Sequence, residues 1–267
     1  VTERDDLIRE TAATDVFAAF EGDIPAERRR RSLRGLVAQY LPAVIAFIMV
    51  ILAWEGLTRA LNVETFVLPK PSEVMTSFFN TAGVIWAAGY RTLLEALGGF
   101  VIGVALAVFT SLAAARWAGF RQGMLPFAIA ANATPIVALA PIFNNWFSIT
   151  SPFSKMAVVA VVVYFPVMIN TTRGLLEVDP AELELMRSMA ATPSEVTRRV
   201  RIPRALPFFF AALKVASALS LIAAIVAEYF GGPQDVLGQY IINRANLFQF
   251  PDAWAAILVA SILGIAF

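Results

Sequence analysis

Between Leu41 and Phe267 the chain carries six apolar stretches, most of them about as long as a helix must be to cross a bilayer. A hydrocarbon core of about 30 Å takes roughly 20 residues at the helical rise, and lipid offers no partner for backbone N–H and C=O groups, so only helices or closed barrels cross it. Barrel strands alternate apolar and polar residues, and these stretches do not. The predicted spans are Leu41 to about Thr58, Leu93–Ala115, Met124–Phe147, Met156 to about Thr172, Phe208–Glu228 and Trp254–Phe267. Pro135, Pro141 and Pro166 are expected to interrupt the third and fourth. The fold class expected is all-α: a polytopic transmembrane helical bundle of about six spans, occupying residues 41–267.

Composition agrees and excludes much else. The chain is 58% apolar and 15% charged, with a mean hydropathy of +0.70, values that an ordinary water-soluble domain does not reach. It has no cysteine and no histidine, which removes structural zinc, haem ligation, thiol catalysis, disulfides and a Ser-His-Asp triad; no catalytic residue and no metal site is expected. None of Lys70, Lys155 and Lys214 follows a glycine-rich loop of the G-x-x-x-x-G-K-[ST] type, so no phosphate cradle of that kind is encoded. Energy for any work must come from a partner or a gradient. The lipid bilayer is an expected partner and nucleic acid is not.

Lys and Arg placement sets the orientation. Residues 1–40 hold seven, among them Arg28, Arg29, Arg30 and Arg31; Arg116 and Arg121 follow the second span; and residues 173–207 hold six. That puts fifteen on one face against five on the other, Arg59, Lys70, Arg91, Lys155 and Arg244, which predicts both termini in the cytoplasm. Residues 1–40 then form a cytoplasmic tail, either an amphipathic helix built on Leu7, Ile8, Val16, Phe17 and Phe20 or a weakly ordered arm. On the outer side, Ser72 is expected to cap a short helix over Glu73–Phe79, and residues 231–250 to open on Gly231-Gly232-Pro233 and continue as a surface helix.

The cytoplasmic segment 178–207 carries the functional argument. Asp179 has the chemistry of an N-cap, with Pro180 at the first helical position and Glu182 at the third, and Thr192, Pro193 and Glu195 repeat the arrangement thirteen residues later. Two short capped helices are predicted back to back. The first is expected to expose Leu183, Met186 and Met189, and the second to end at Ile202-Pro203 before the chain re-enters lipid near Pro207. Apolar anchors within a rim of Glu184, Arg187, Arg198 and Arg199 suit a docking knob; the alternative is a polar loop folded against its own helices.

This segment resembles the EAA loop of the binding-protein-dependent ABC transporter permeases. Glu184-Leu185-Met186 stands where E-A-A is usual, Ala190 where glycine is usual, and Ile202-Pro203 and Leu206-Pro207 match the proline-containing close. Further similar pieces occur in the same order: Phe66-Val67-Leu68-Pro69-Lys70-Pro71, Arg91-Thr92-Leu93-Leu94, Pro135 to Phe147, Val178-Asp179-Pro180, and Ala227-Glu228 with Gly238. The resemblance covers residues 40–267 and points within the family to the taurine, nitrate and sulfonate importers. It implies a pair of permease subunits, identical or homologous, each seating a coupling helix in an ABC ATPase subunit, with an extracytoplasmic substrate-binding protein delivering a small solute. The coupling residues it implies are Glu184, Leu185, Met186, Arg187, Met189, Ala190 and Thr192. No cofactor is implied on this chain; ATP and Mg belong to the ATPase.

Polar groups inside spans tend to face a protein interior or a cavity, which nominates Asn132, Thr134, Tyr164, Asn170, Ser217 and Ser220 for the translocation pathway; a hydrogen bond to a neighbouring helix or to their own backbone is the competing role. Glu95 and Lys214 are charges within spans, near the outer and inner ends respectively. A gradient-driven secondary transporter is the alternative function. It needs an ion site at mid-membrane, where acidic residues are almost absent. A membrane-embedded enzyme lacks clustered catalytic groups, and a scaffold would use the helix pair for binding alone.

Overall fold

A computed structural model describes residues 33–267, with side chains from Tyr40 onward except Ile136. The described residues contain no strand. The described residues divide into two units, with the boundary between Ala53 and Trp54. Helix α1 (Leu33–Ala60) begins in the first, eight residues ahead of the expected start at Leu41, and runs through Pro42, which leaves the helix unbroken. The tail residues Leu7, Ile8, Val16, Phe17 and Phe20 lie outside the described residues.

In the second unit, α2 spans Pro71–Arg116, α3 Ala118–Asn132, α4 Ile136–Phe147, α5 Pro152–Leu176, α6 Pro180–Ser188, α7 Pro193–Val196, α8 Ile202–Tyr229, α9 Leu237–Asn246 and α10 Phe250–Ala266. Every predicted apolar stretch lies on helix. Among the described residues of the whole chain, α1 included, four helical segments are long and apolar enough to cross a membrane alone, α3 and α4 form a bent pair, and α10 has 17 residues.

The short outer helix expected over Glu73–Phe79 is instead the start of α2, whose 46 residues run without interruption to Arg116. No proline falls between Pro71 and Pro126, so nothing in the backbone ends the helix at Phe79. Lys70, not Ser72, is the N-cap residue, and the Glu73 carboxylate accepts from the Lys70 backbone N–H at 3.3 Å and from its ammonium at 2.8 Å. Ser72 sits inside the first turn, where its N–H and hydroxyl donate to Glu55 at 3.0 and 2.8 Å.

Of the three prolines expected to interrupt spans, Pro135 breaks the chain and Pro141 and Pro166 lie within continuous helices. α3 and α4 meet at 103°. Ala133 and Thr134 close α3 with N–H bonds to Ala130 and Ala131, three residues back, and Pro135, extended at φ −62° and ψ 125°, disfavours a helical Thr134. Within α5, Pro166 leaves the Val162 carbonyl without its usual N–H donor, and one turn further on the side-chain amide of Asn170 donates to the Pro166 carbonyl at 2.8 Å.

Apolar burial does little to drive helix association in lipid, so packing depends on close approach. A Cβ built on Gly99 would lie 2.6 Å from the Met156 carbonyl oxygen, and one on Gly103 would lie 2.6 Å from that of Ala160. The G-x-x-x-G of α2 thus presses backbone against backbone on α5. A core of Ala96, Val159, Val163, Ala212, Ala216 and Ala223 continues the seam to α8. Gly103→Leu is expected to cost about 1–3 kcal/mol or more by overpacking, read as a lower melting temperature of the purified protein, since the obstacle is backbone that cannot swing aside.

Candidate functional site

At one end of the bundle, α6 and α7 form the expected capped pair. The Asp179 carboxylate accepts from the Ala181 N–H at 2.9 Å, ahead of Pro180 at the first helical position. Thr192 and Glu195 form a reciprocal capping box: the Thr192 hydroxyl accepts from the Glu195 N–H at 3.3 Å, and the Glu195 carboxylate accepts from the Thr192 N–H at 2.8 Å. The Thr192 N–H, followed by its hydroxyl, holds the Glu195 carboxyl below the usual carboxylate range at this position outside the apolar part of the helix.

Between the two helices the chain reverses in a Schellman motif: the Ala190 N–H donates to Arg187 O at 2.9 Å and the Ala191 N–H to Met186 O at 3.0 Å. Ala190 occupies the left-handed position at φ +52°. An L-residue with a Cβ is disfavoured there by roughly 1–2 kcal/mol, which is the physical reason a glycine suits this place in the loop. Ala190→Gly is expected to stabilise the turn by up to about 1 kcal/mol, seen as slower amide exchange at Ala191.

The second helix of the pair does not end at Ile202-Pro203. From α7 it passes through a π-helical turn, Thr197–Arg201, directly into α8. The Ile202 N–H reaches back five residues to Thr197 O, and the wider turn precedes Pro203, which has no N–H to give to the Arg199 carbonyl. Two side chains tie the pair to the bundle. The Arg201 guanidinium donates to Ala115 O at 2.9 Å, placing a cation at the carbonyl end of α2, and Arg204 pairs with Glu182.

The exposed apolar stripe differs from the one expected. Leu185 and Met189, four residues apart, are 60% and 65% exposed. Leu183 and Met186 are half-buried, and Leu183 lines a groove with Arg116, Arg187, Pro193 and Arg201. A three-residue spacing drifts around a helix of 3.6 residues per turn, and the contact with the end of α2 selects which face turns inward. Glu184, Arg187, Ala190 and Thr192 are exposed around Leu185 and Met189, with Arg198 and Arg199 beyond. Glu184, Leu185, Arg187, Met189, Ala190 and Thr192 therefore share an accessible knob, and Met186 sits at its base.

The six pathway candidates fall into two groups. Asn132 and Thr134 are exposed at the α3–α4 bend. Tyr164 and Asn170 lie half-buried on α5, as does Ser217 on α8, while Ser220 of α8 is fully buried. Asn170 bonds back to Pro166 O, Ser217 to Lys214 O at 3.0 Å and Ser220 to Ser217 O at 2.7 Å, while Tyr164 stacks edge-on with Phe165 at 5.0 Å.

At the opposite end the structure assembles a cluster that the sequence scattered. Glu95 of α2, Lys155 of α5 and Glu228 of α8 are 4%, 0% and 0% exposed. The Glu228 carboxylate accepts from the Gly238 N–H at 2.6 Å, its backbone carbonyl accepts from the Gln239 amide at 2.5 Å, and the Thr92 hydroxyl accepts from the Leu237 N–H at 2.9 Å. The Leu237 and Gly238 N–H groups are the first of α9, whose N-cap residue, Val236, has no side-chain acceptor, while the Gln239 bond comes from its side-chain amide. α2 and α8 therefore cap α9 from outside it. The Lys155 ammonium donates to Asn144 Oδ1 at 3.3 Å and to Ile149 O, and the Asn144 amide donates to Phe230 O at 3.2 Å, which joins α4 to the same end. Only a glycine fits at position 238, where a Cβ would stand 2.6 Å from both the Glu228 Cβ and Ile225 O. The sequence signal was three charges set in apolar surroundings, separated by 60 and 73 residues, with nothing local to pair them.

The pattern of the family described as "Binding-protein-dependent transport system inner membrane component" matches residues 99–267, which include the whole knob. The chain is 28% identical to the formylaminopyrimidine transport permease protein ThiX of Halalkalibacterium halodurans, covering 85% of this chain and 90% of that one. It is also 28% identical to the riboflavin transport system permease protein RibX of Chloroflexus aurantiacus, covering 88% of each. Among solved structures, a chain from the crystal structure of an amino acid ABC transporter with histidines superposes with a TM-score of 0.57 at 18% identity, over 72% of this chain and 91% of that one, a likeness of fold.

Proposed function

Because the chain belongs to the family of binding-protein-dependent transport system inner membrane components, and is thus a multi-pass inner-membrane permease subunit of an ATP-binding-cassette importer, we propose how its parts divide the work. Residues 180–201 dock into a groove on a separate ATPase subunit, with Leu185 and Met189 as anchors and Glu184, Arg187, Arg198 and Arg199 fixing the register. ATP and Mg are bound and consumed on that partner. A second permease subunit, identical or homologous, completes the translocation path, and an extracytoplasmic binding protein delivers the small solute. The N-terminus and the knob lie in the cytoplasm, as the fifteen-to-five division of basic residues requires.

The observation that carries this reading is the knob itself: two capped turns that expose two large apolar side chains within a charged rim, inside the segment that matches the family. For the pathway, the α3–α4 bend places Asn132 and Thr134 at broken helix ends, where transporters present backbone and polar groups to solutes. We assign these two the first role in lining the path and Tyr164, Asn170, Ser217 and Ser220 a lesser one, because the last three already bond to backbone. Reconstitution in proteoliposomes tests the whole: solute uptake is expected only when the ATPase subunit and ATP are present. Uptake driven by an ion gradient with no ATPase subunit would select a secondary transporter instead.

A further inference from the structure

We propose that Glu95 and Glu228 hold one proton between them, and that this acid–carboxylate pair, with Lys155, is a net-neutral clasp fastening the short helices α4 and α9 to α2, α5 and α8.

The case begins with unfilled valences. Glu228 Oε2 takes the Gly238 N–H, but Glu228 Oε1 has no donor, and Glu95 Oε2 has none either. Both groups are more than nine-tenths buried. Thr92, one turn before Glu95 on α2, and Glu228 bond to the adjacent N–H groups of Leu237 and Gly238, which brings the two carboxyl groups to the same helix start. Two ionised carboxylates in that arrangement would repel in a medium that screens poorly, and each would leave an oxygen bare. One proton placed between them removes the repulsion and supplies the missing hydrogen bond, as happens wherever two carboxyl groups share a confined site.

The remaining charges close the balance. Lys155 is fully buried against the same helix start, where its Cε and the Gln239 Cγ flank Gly232, yet its ammonium bonds to Asn144 Oδ1 and Ile149 O and forms no direct ion pair with either glutamate. One negative charge on the glutamate pair and one positive on Lys155 make the buried set neutral. Asp235, the next acid toward Glu95, is exposed and already paired with Arg91. Thr92 and Tyr229 are polar neighbours of the pair on α2 and α8; the Thr92 hydroxyl accepts from Leu237 and donates to Ala88 O at 3.2 Å, so it supplies neither carboxyl group with a hydrogen bond.

Neutrality matters because of what the cluster holds. Through Glu228 and Thr92 it caps α9, and through Lys155 and Asn144 it reaches α4. Neither short helix crosses a membrane alone, so each depends on this end of the bundle for its place. A net charge left in the cluster would weaken both attachments together. The proposal concerns protonation and packing, and stands or falls independently of which partner drives transport.

Infrared difference spectroscopy on the full chain in lipid nanodiscs at neutral pH reads the proton directly. The wild type is expected to show a protonated-carboxyl C=O band that shifts in D2O and disappears in full in both Glu95→Gln and Glu228→Gln. In each variant the new amide donates to the remaining carboxylate, the net charge is unchanged, and the melting temperature should stay near that of the wild type. The double variant E95Q/E228Q strands the Lys155 charge: its melting temperature should fall and amide exchange at Leu237 and Gly238 should rise, and adding Lys155→Met should return the exchange at Leu237 and Gly238 to its slow rate. Absence of the band from the wild type, its survival in either single variant, or a double variant as stable as the singles each overturns the proposal.

Discussion

Glu228→Ala is expected to lower the stability of the folded chain by about 3 kcal/mol or more, the range seen when one member of a buried charged set is removed. The substitution leaves the Gly238 N–H without an acceptor in a buried place, withdraws negative charge from the N-terminus of α9, and opens a cavity where a fully buried side chain stood. The effect should be local in its first sign. Amides of residues 237–246 are expected to exchange faster while those of Val159 and Val163, in the α2–α5–α8 seam, keep their protection. A uniform loss of protection across both regions would show instead that α9 is not a separately anchored element.

The second large effect is expected at the other end. Replacing both Leu185 and Met189 with aspartate removes two exposed apolar anchors, each worth about 1.5 kcal/mol or more when buried in a partner, so docking of the ATPase subunit should weaken on the order of 100-fold. ATP-dependent uptake should fall with it. Because both side chains already face solvent, the melting temperature of the permease should change little. Met186→Asp makes the contrast: Met186 is half-buried at the base of the knob, so its replacement should lower stability along with coupling. Co-purification of the ATPase at wild-type yield with the double variant would remove Leu185 and Met189 from the interface.

Local signals carried the sequence reading as far as they extend. Asp179, Thr192, Pro180 and Pro193 act on their nearest neighbours, and the caps they predict are present. Pro135 ends α3 by disfavouring a helical Thr134, whereas Pro166 is accommodated inside the continuous α5. The stripe on α6 was misassigned because periodicity gives the faces of a helix but not which of them meets the end of α2. Ser72 looked like a cap because of its type and its place after Pro71; Glu55, seventeen residues earlier, claimed it.

The sequence by itself determined what short-range physics controls: an all-helical chain in lipid, the apolar segments, a capped helix pair between the fourth and fifth of them, and the excess of basic residues on that side. Only the tertiary structure decided which groups from distant helices meet. Thr92, Glu95, Lys155, Glu228 and Gly238 belong to four helices, and nothing in the neighbourhood of any of them names the others as partners. Charges buried in lipid must be neutralised by whatever the fold brings within reach, so their partners are set by helix packing, through glycines such as Gly99 and Gly103 that let the backbones approach.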